Sequence, residues 1–227
     1  MVCSALEVPT LSEYESKQFL ARAGIQTPLE RLVYSPDDAV TAAAELGFPI
    51  ALKLCGAGIA HKTERNGVRL DLQDAAAVSE QATDLLAELR PEDTGAGLLV
   101  QPMVRGRREV IAGLVRDPAF GPCVMFGIGG IFAEVLGDVA FAVAPLDDQD
   151  ALQLVDALEH RNFLGTFRGE AAADRAKLAA ILQALGQIGI EHPEVRSIDL
   201  NPLILDGAVP VIVDALIEIE ASPEDPT

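Results

Sequence analysis

The sequence contains no tryptophan, and aromatic residues make up only 4% of the chain. A core therefore has to be built from the aliphatic residues Leu, Val, Ile and Ala, which supply most of the 49% hydrophobic content. With 227 residues, the chain can bury such a core as one large domain or as two small ones. No internal repeat or low-complexity run is present.

Cysteine is also scarce, and the three cysteines (Cys3, Cys55 and Cys123) show no CxxC spacing. This pattern excludes a disulfide framework and a cysteine zinc site, and it favours a reducing compartment. The N-terminus lacks a basic segment followed by an apolar run, so we expect no signal peptide and a cytoplasmic location. The most apolar stretch, residues 123–145, carries acidic residues and glycines, which predicts buried strands around a turn rather than a membrane span.

Positive charge is the third deficit, with 17 Lys and Arg against 35 Asp and Glu and a net charge of −18. Such an acidic chain is not expected to bind nucleic acid or an anionic membrane. An anionic substrate would need a local basic pocket. The candidates for one are Lys53, Lys62, Arg65, Arg69, Arg105, Arg107 and Arg108.

Helix and strand signals alternate along the chain without a regular βαβ order. A capping box, Ser12-x-x-Glu15, predicts a first helix, and Asp206-Gly207 predicts the turn of a C-terminal hairpin. The alternation favours an α+β fold with two subdomains around one cleft. Helices are predicted at 12–23, 36–47, 74–89, 147–158 and 171–188, and strands at 29–34, 50–55, 68–72, 98–103, 109–115, 123–127, 131–136, 139–143, 196–205 and 209–218.

Two of the four lysines lie in residues 50–67, around which the predicted chemistry is organised. Lys53 sits in an apolar strand, and the following loop carries Gly56, Gly58, His61 and Lys62. A lysine held by a core strand beside a glycine-bearing loop suits phosphate, because glycines let backbone N–H groups approach an anion. The alternative is a lysine that snorkels to solvent at a strand end beside an ordinary loop.

The C-terminal hairpin carries Asp199 and Asn201 on one strand and Asp214 on the return strand. Residues 199 and 201 point to one face of a strand, and pairing would bring Asp214 beside them. Carboxylate and amide oxygens are the ligands that Mg²⁺ takes when it also binds nucleotide phosphates. The alternative is a pair of aspartates near a turn without a ligand.

These motifs together resemble an ATP-grasp domain, and the similarity covers roughly residues 10–220 in order. More narrowly, the chain resembles the small ATP-grasp subunit of the NDP-forming acyl-CoA synthetases, as in ADP-forming acetyl-CoA synthetase. The resemblance implies an α+β ATP-grasp fold with ATP or ADP and Mg²⁺ as cofactors. The segments that carry it are Ala51-Leu-Lys53, the 56–67 loop with His61-Lys-Thr-Glu, Leu99-Val-Gln101-Pro-Met-Val104 with Glu109, Phe126-Gly-Ile-Gly-Gly-Ile-Phe-Ala-Glu134, Phe163-Leu-Gly-Thr-Phe-Arg168-Gly, and Asp199-x-Asn201 with Asp214.

The resemblance also implies a domain division and residue roles. Residues 1–10 would be a lead-in, 11–103 a first subdomain with a mobile histidine loop, 104–220 a second subdomain with a Mg²⁺-binding hairpin, and 221–227 a tail. His61 would carry a phosphoryl group to the nucleotide, a task that suits a ring nucleophilic near pH 7. The nucleotide-binding residues would be Lys53, Ala60, His61, Lys62, Gln101, Val104 and Glu109, and the metal ligands Asp199, Asn201 and Asp214.

Other interpretations of single residues stay open. Gln101 can be an edge-strand amide, Glu109 a solvated partner of Arg107 or Arg108, and His61 an ordinary surface histidine. The Gly127–Gly130 stretch favours a tight bend over a phosphate loop. Ala142 stands where the family pattern has an arginine, which counts against full activity.

The family reaction needs a CoA-binding partner, which 227 residues do not accommodate. The resemblance therefore implies one component of an acid–CoA ligase, which catalyses acyl-CoA + ADP + phosphate ⇌ acid + CoA + ATP. This component would be inactive without a CoA-binding α subunit or fused domains, and would form a hetero-oligomer with a separate subunit. The alternative is a non-catalytic nucleotide-binding module that regulates a fused acyltransferase or ligase.

Overall fold

The computed structural model describes residues 9–59, 65–130, 137–166 and 169–220. Within these ranges the chain alternates helices and strands, as the sequence predicts. The helices are α1 (Glu13–Arg22), α2 (Pro36–Leu46), α3 (Ala75–Ala87), α4 (Asp148–Asp156) and α5 (Arg175–Glu191), with a 3-10 helix at Arg161–Leu164. The strands are β1 (Arg31–Val33), β2 (Ile50–Cys55), β3 (Val68–Leu72), β4 (Gly97–Pro102), β5 (Glu109–Asp117), β6 (Gly121–Ile128), β7 (Val139–Val143), β8 (Val195–Asp206), β9 (Val209–Ile212) and β10 (Leu216–Ile219).

Side-chain caps set where the helices begin. The predicted capping box at α1 is confirmed, because Ser12 accepts from the Glu15 backbone N–H and Glu15 accepts from that of Ser12. Asp74 caps α3 as predicted. Helix α5 begins four residues later than predicted, because Asp174 accepts from the Lys177 backbone N–H and caps it there.

The strands form two antiparallel sheets. The first sheet has the order β1-β4-β2-β3, and the second has the order β10-β8-β5-β6-β7, with β9 also paired to β8. The chain passes from the first sheet to the second between β4 and β5. Antiparallel pairing with interspersed helices confirms the predicted α+β class.

Each sheet packs helices against one face and has its own aliphatic core. The first core joins the first sheet to α2 and α3, and the second joins the second sheet to α4 and α5. Phe126 is the one aromatic among the buried hydrophobic residues of the described part of the chain. Leu20 of α1 belongs to the second core, although the polar side of this helix contacts the first sheet. Helix α1 therefore lies between the two sheets.

Two predicted strands need comment. The strand predicted at 131–136 lies outside the described residues. The strand predicted at 209–218 is interrupted at residues 213–215, so it forms β9 and β10 instead. At the break the Val213 N–H still donates to the Pro202 carbonyl, but Pro202 has no N–H to donate in return, and the Val213 carbonyl accepts from the ammonium groups of Lys17 and Lys53.

A search of the helices in the described ranges found none with both the length and the apolar character needed to cross a membrane.

Candidate functional site

The C-terminal hairpin brings the three predicted metal ligands together. Strand β9 pairs with β8 at Leu203↔Ile212, and β10 pairs with β8 at Leu216↔Asp199. Both pairings have the same register, and the Val213 N–H donates to the Pro202 carbonyl at 3.0 Å between them. Continuing this register places Asp214 opposite Asn201. Asp199, Asn201 and Asp214, the hairpin ligand set, therefore lie on neighbouring positions of one hairpin.

The hairpin ligand set faces away from the second core. Along β8, Ile198 and Leu200 are buried, whereas Asp199 and Asn201 are exposed on the opposite face. Helices α4 and α5 cover the buried face, so the set lies on the open face of the second sheet.

Electrostatics at the hairpin ligand set favour a bound cation. Asp199 is exposed at the surface, but the protein packed around its carboxyl group still limits the hydration of that group and raises its pKa, and the Asp214 carboxylate raises it further. Two carboxylates and an amide are hard oxygen donors, so the set fits Mg²⁺. The described residues contain no group of three or more His, Cys, Asp or Glu able to hold a metal ion. The hairpin ligand set has two carboxylates, and the amide oxygen of Asn201 would be its third donor.

Lys53 lies beside this set. It is 3% exposed on β2, and its Nζ donates to Glu13 Oε1 at 2.7 Å and to the Val213 carbonyl at 2.8 Å. The ammonium of Lys53 therefore contacts the residue that directly precedes Asp214. The alternative of a lysine that snorkels to solvent is wrong, because the amine is buried in a network of polar groups.

Gln101 is also buried, with 1% of its surface exposed. Its Oε1 accepts from Lys17 Nζ at 3.2 Å. Strand β4 lies between β1 and β2 in the first sheet, so the alternative of an edge-strand amide is wrong. Val104 follows in the connection between the sheets and is partly exposed. The predicted adenine contact at this connection stays a prediction.

Glu109 begins β5 and is partly exposed. Its backbone carbonyl accepts from the Gly129 N–H at 2.8 Å, and a Cβ added to Gly130 would lie 3.1 Å from Glu109 Oε2. The glycine pair thus lets the chain pass close to this carboxylate. Since Arg108 pairs with Glu170 at 3.0 Å instead, the alternative that Glu109 is a partner of Arg108 is wrong.

The predicted basic pocket needs correction at Arg108. This residue is 1% exposed, and all five N–H groups of its guanidinium are used within the chain, on Glu170 and four backbone carbonyls, so the group is structural. Arg105 and Arg107 are exposed on the chain between the two sheets.

Arg65 and Arg69 are also engaged within the chain. Arg65 binds both carboxylate oxygens of Asp93, at 3.0 and 2.5 Å, and this pairing lowers the pKa of Asp93 to about 2. Arg69 donates to the Gln81 amide oxygen at 2.7 Å. Of the residues proposed for the basic pocket, Lys53, Lys62, Arg105 and Arg107 therefore remain candidates. Of the predicted site residues, Ala60, His61 and Lys62 lie outside the described residues, as does Arg168.

Sequence reasoning missed the buried charges that surround Lys53. Glu13 and Lys17 are four residues apart on α1, a spacing that is typical of an exposed helix pair. In the structure both are buried, and Lys17 also binds Glu30. No signal in the sequence distinguishes this pair from a solvated one.

Comparison with known proteins identifies the family of the chain. Residues 4–219 match the family model described as ATP-grasp domain. The chain is 35% identical over 208 residues to the β subunit of acetate–CoA ligase (ADP-forming) I of Pyrococcus furiosus, covering 90% of each chain. It is 32% identical to 4-hydroxybutyrate–CoA ligase (ADP-forming) of Nitrosopumilus maritimus, covering 87% of this chain and 29% of that longer protein.

Solved structures show the same relationship. Acetyl-coenzyme A synthetase 1 of Candidatus Korarchaeum cryptofilum, in complex with coenzyme A, Ca-AMPCP and HgCl⁺, superposes with a TM-score of 0.87 at 36% identity, covering 93% of this chain and 94% of that one. A second structure of that synthetase contains coenzyme A and Mg-AMPPCP, with its phosphohistidine segment pointing towards the nucleotide binding site. It superposes with a TM-score of 0.79 at 35% identity and covers 92% of each chain. The chain has an ATP-grasp fold and belongs to the ATP-grasp family, in the group that contains the β subunits of ADP-forming acetate–CoA ligases.

Proposed function

We propose that this chain is the nucleotide-binding component of an ADP-forming acyl-CoA ligase. Its task would be to transfer a phosphoryl group between a phosphohistidine and ADP. The observation that carries the proposal is the position of Lys53, whose ammonium binds the carbonyl of the residue before Asp214. Strand β2 thereby offers a cation for phosphate oxygens, and the C-terminal hairpin offers three oxygen donors for a metal.

Each residue has a role that its chemistry supports. Lys53 would attract the nucleotide phosphates as a point charge. The hairpin ligand set would hold Mg²⁺, which neutralises phosphate charge when bound. Gln101 and Val104 would contact the base, and Glu109 the ribose. Ala60 and Lys62 would lie along the phosphates.

His61 would carry the phosphoryl group in this proposal. In the direction of ATP formation, a terminal oxygen of ADP attacks the phosphorus of phosphohistidine. The new P–O bond forms as the P–N bond breaks, and the ring nitrogen keeps the electron pair of that bond and takes up a proton. The neutral imidazole is thereby restored, and ATP leaves.

The acyl half of the reaction needs a CoA-binding partner. The chain accounts for 29% of the Nitrosopumilus ligase, so most of that protein lies outside the match. We propose that the corresponding functions here come from an α subunit or from fused domains, with the two parts forming a hetero-oligomer. We also propose a cytoplasmic location, because three cysteines without CxxC spacing suit a reducing compartment.

The test combines nucleotide binding with phosphoryl labelling. The purified chain is incubated with Mg²⁺, γ-labelled ATP and a CoA-binding subunit of the same enzyme, and acid-labile, base-stable label on the chain is measured. We expect labelling of the wild type and of His160→Ala, whose exposed ring pairs with Asp138. We expect none for His61→Ala.

Calorimetry separates the two parts of the proposal. His61→Ala should bind Mg·ADP with wild-type affinity, since Lys53 and the hairpin ligand set remain. Equal labelling of His61→Ala and wild type would remove His61 from the reaction. A wild-type chain that binds no nucleotide would refute the proposed function as a whole.

A further inference from the structure

A second lysine, Lys17, lies at the centre of the contacts that surround the proposed site. It is 0% exposed on α1, and its Nζ makes four polar contacts. These are Glu13 Oε1 at 2.7 Å, Glu30 Oε2 at 2.9 Å, the Val213 carbonyl at 2.9 Å and Gln101 Oε1 at 3.2 Å. An ammonium has three protons to donate, so these four acceptors outnumber its donors and share them.

The charges around Lys17 balance. Lys17 and Lys53 together face Glu13 and Glu30, and all four side chains are buried. Burial lowers the pKa of Lys17, but Glu13 and Glu30 outweigh it and raise the pKa above its usual value, so the ammonium is charged at neutral pH. Burial raises the pKa of Glu30, and Lys17 opposes that change.

Stability alone is a weak explanation for such a cluster. Replacing buried ion pairs with apolar side chains of similar volume is often neutral or stabilising. What an apolar side chain cannot do is fix the orientation of several polar groups from different elements at once. Lys17 orients polar groups from four parts of the chain. These are helix α1, the segment that precedes β1, strand β4, and the break between β9 and β10.

Three of the four contacts lead directly to a group of the proposed site. Gln101 is the amide predicted to meet the base. Glu13 accepts from Lys17 and Lys53 through the same oxygen, Oε1. The Val213 carbonyl also accepts from both lysines, at 2.9 and 2.8 Å.

The Val213 contact has a structural consequence. The strand is broken at residues 213–215, where Asp214 lies, and the residue opposite Val213, Pro202, has no N–H, so the two ammonium groups are the donors to the Val213 carbonyl. The peptide that precedes Asp214 is therefore oriented by Lys17 and Lys53 together.

We propose that Lys17 is a positioning residue for the nucleotide and metal site. It would touch neither nucleotide nor metal, and would act by holding Lys53 through Glu13, Asp214 through the Val213 carbonyl, and the Gln101 amide. The proposal rests on the proposed function, because it names the residue that orients the groups of that same site.

The test measures how strongly Mg²⁺ and ADP favour each other's binding. Calorimetric ADP affinities with and without Mg²⁺ give a coupling ratio, and Mn²⁺ binding followed by electron paramagnetic resonance reports the cation site directly. Substituting a residue that orients a metal ligand typically lowers metal affinity about 10- to 100-fold. We expect Lys17→Met to reduce the coupling ratio and the Mn²⁺ affinity by at least about tenfold.

Two further variants serve as controls. Lys177→Met makes the same change at an exposed lysine of α5 and should leave both measurements unchanged. The double variant Lys17→Met with Glu30→Gln removes one buried charge of each sign, so the remaining pair, Lys53 with Glu13, stays neutral. It should show the same loss as Lys17→Met. A folded double variant with wild-type coupling and Mn²⁺ affinity would overturn the role of Lys17.

A measurement on the wild type keeps the test independent of folding. Selective ¹⁵N labelling of lysine gives four side-chain signals, since the chain has four lysines. The Lys17 Nζ signal should shift when Mg·ADP is added, and the Lys177 signal should not. An unshifted Lys17 signal with a shifted Lys53 signal would overturn the inference and leave the proposed function intact. Absence of any nucleotide binding by the wild type would overturn both.

Discussion

Arg108 is expected to be one of the most sensitive positions for stability. Its guanidinium is buried, and each of its five N–H groups has a partner. Nε donates to Glu170 at 3.0 Å, Nη1 to the carbonyls of Phe163 and Gly165, and Nη2 to those of Ala171 and Gly207. One side chain thus joins the start of β5 to the loop after the 3-10 helix and to the hairpin turn.

The magnitude follows from what Arg108→Met would leave behind. Summing five charged hydrogen bonds would overestimate the loss, because Ala171 and Gly207 are exposed and their carbonyls can bind water. Glu170 is 25% exposed and stays hydrated without its partner, so the loss comes mainly from the Phe163 and Gly165 carbonyls, at about 1–3 kcal/mol each. For a chain of this length each kcal/mol lowers the melting temperature by about 2–4 °C, so about 2–6 kcal/mol in total corresponds to a drop of roughly 4–24 °C.

Thermal unfolding followed by circular dichroism measures this change. Arg107→Met is the matched control, since Arg107 is the exposed neighbour and its loss should change the free energy of unfolding by less than about 0.5 kcal/mol. Arg108→Lys keeps the charge but has three donors instead of five, so it should melt between Arg108→Met and the wild type. If Arg108→Met melted within about 2 °C of Arg107→Met, the buried guanidinium would not be holding the loop and the turn.

Three other expectations concern the site and the charge network. Lys53→Ala should weaken Mg·ADP binding about tenfold or more, because a charged hydrogen bond contributes about 1.5–3 kcal/mol; equal calorimetric affinity would remove Lys53 from the phosphate site. Asn201→Ala and Asp214→Ala should weaken ADP binding mainly in the presence of Mg²⁺, and an equal loss without Mg²⁺ would make these residues structural. The Arg65–Asp93 pair lowers the pKa of Asp93 from 3.8 to about 2, so its stabilisation is fully present above pH 3.8 and is lost as the pH falls through about 2. Asp93→Asn should therefore be destabilised by about 1 kcal/mol in urea unfolding at pH 7 and by less near pH 3; a difference that did not shrink would contradict the assigned pair.

Local elements were predictable wherever short-range chemistry decides them. Ser12 with Glu15, and Asp74, mark helix starts because their side chains satisfy the first free N–H groups of a helix. The Asp206-Gly207 turn identified the C-terminal hairpin, and alternation along β8 placed Asp199 and Asn201 on one face. The aliphatic core followed from the scarcity of aromatic residues.

The tertiary structure decided which charges are buried. Glu13 and Lys17 have the spacing of a solvated helix pair, and only the packing of α1 between two sheets puts them beside Lys53. Arg108 was assigned to a substrate pocket because its neighbours are basic, yet its partners, from Phe163 to Gly207, are 55 to 99 residues away in sequence. The contacts of the Val213 carbonyl also come from distant parts of the chain, since the two ammonium groups that donate to it belong to α1 and β2.

The sequence by itself therefore determined most of the helices and strands and the family resemblance, and it supplied the candidate residues of the site. The burial of the Lys17 cluster and the orientation of the Asp214 peptide depend on long-range contacts. Periodicity and caps depend on neighbours within about four residues, whereas the solvation of a charge depends on every element that packs around it.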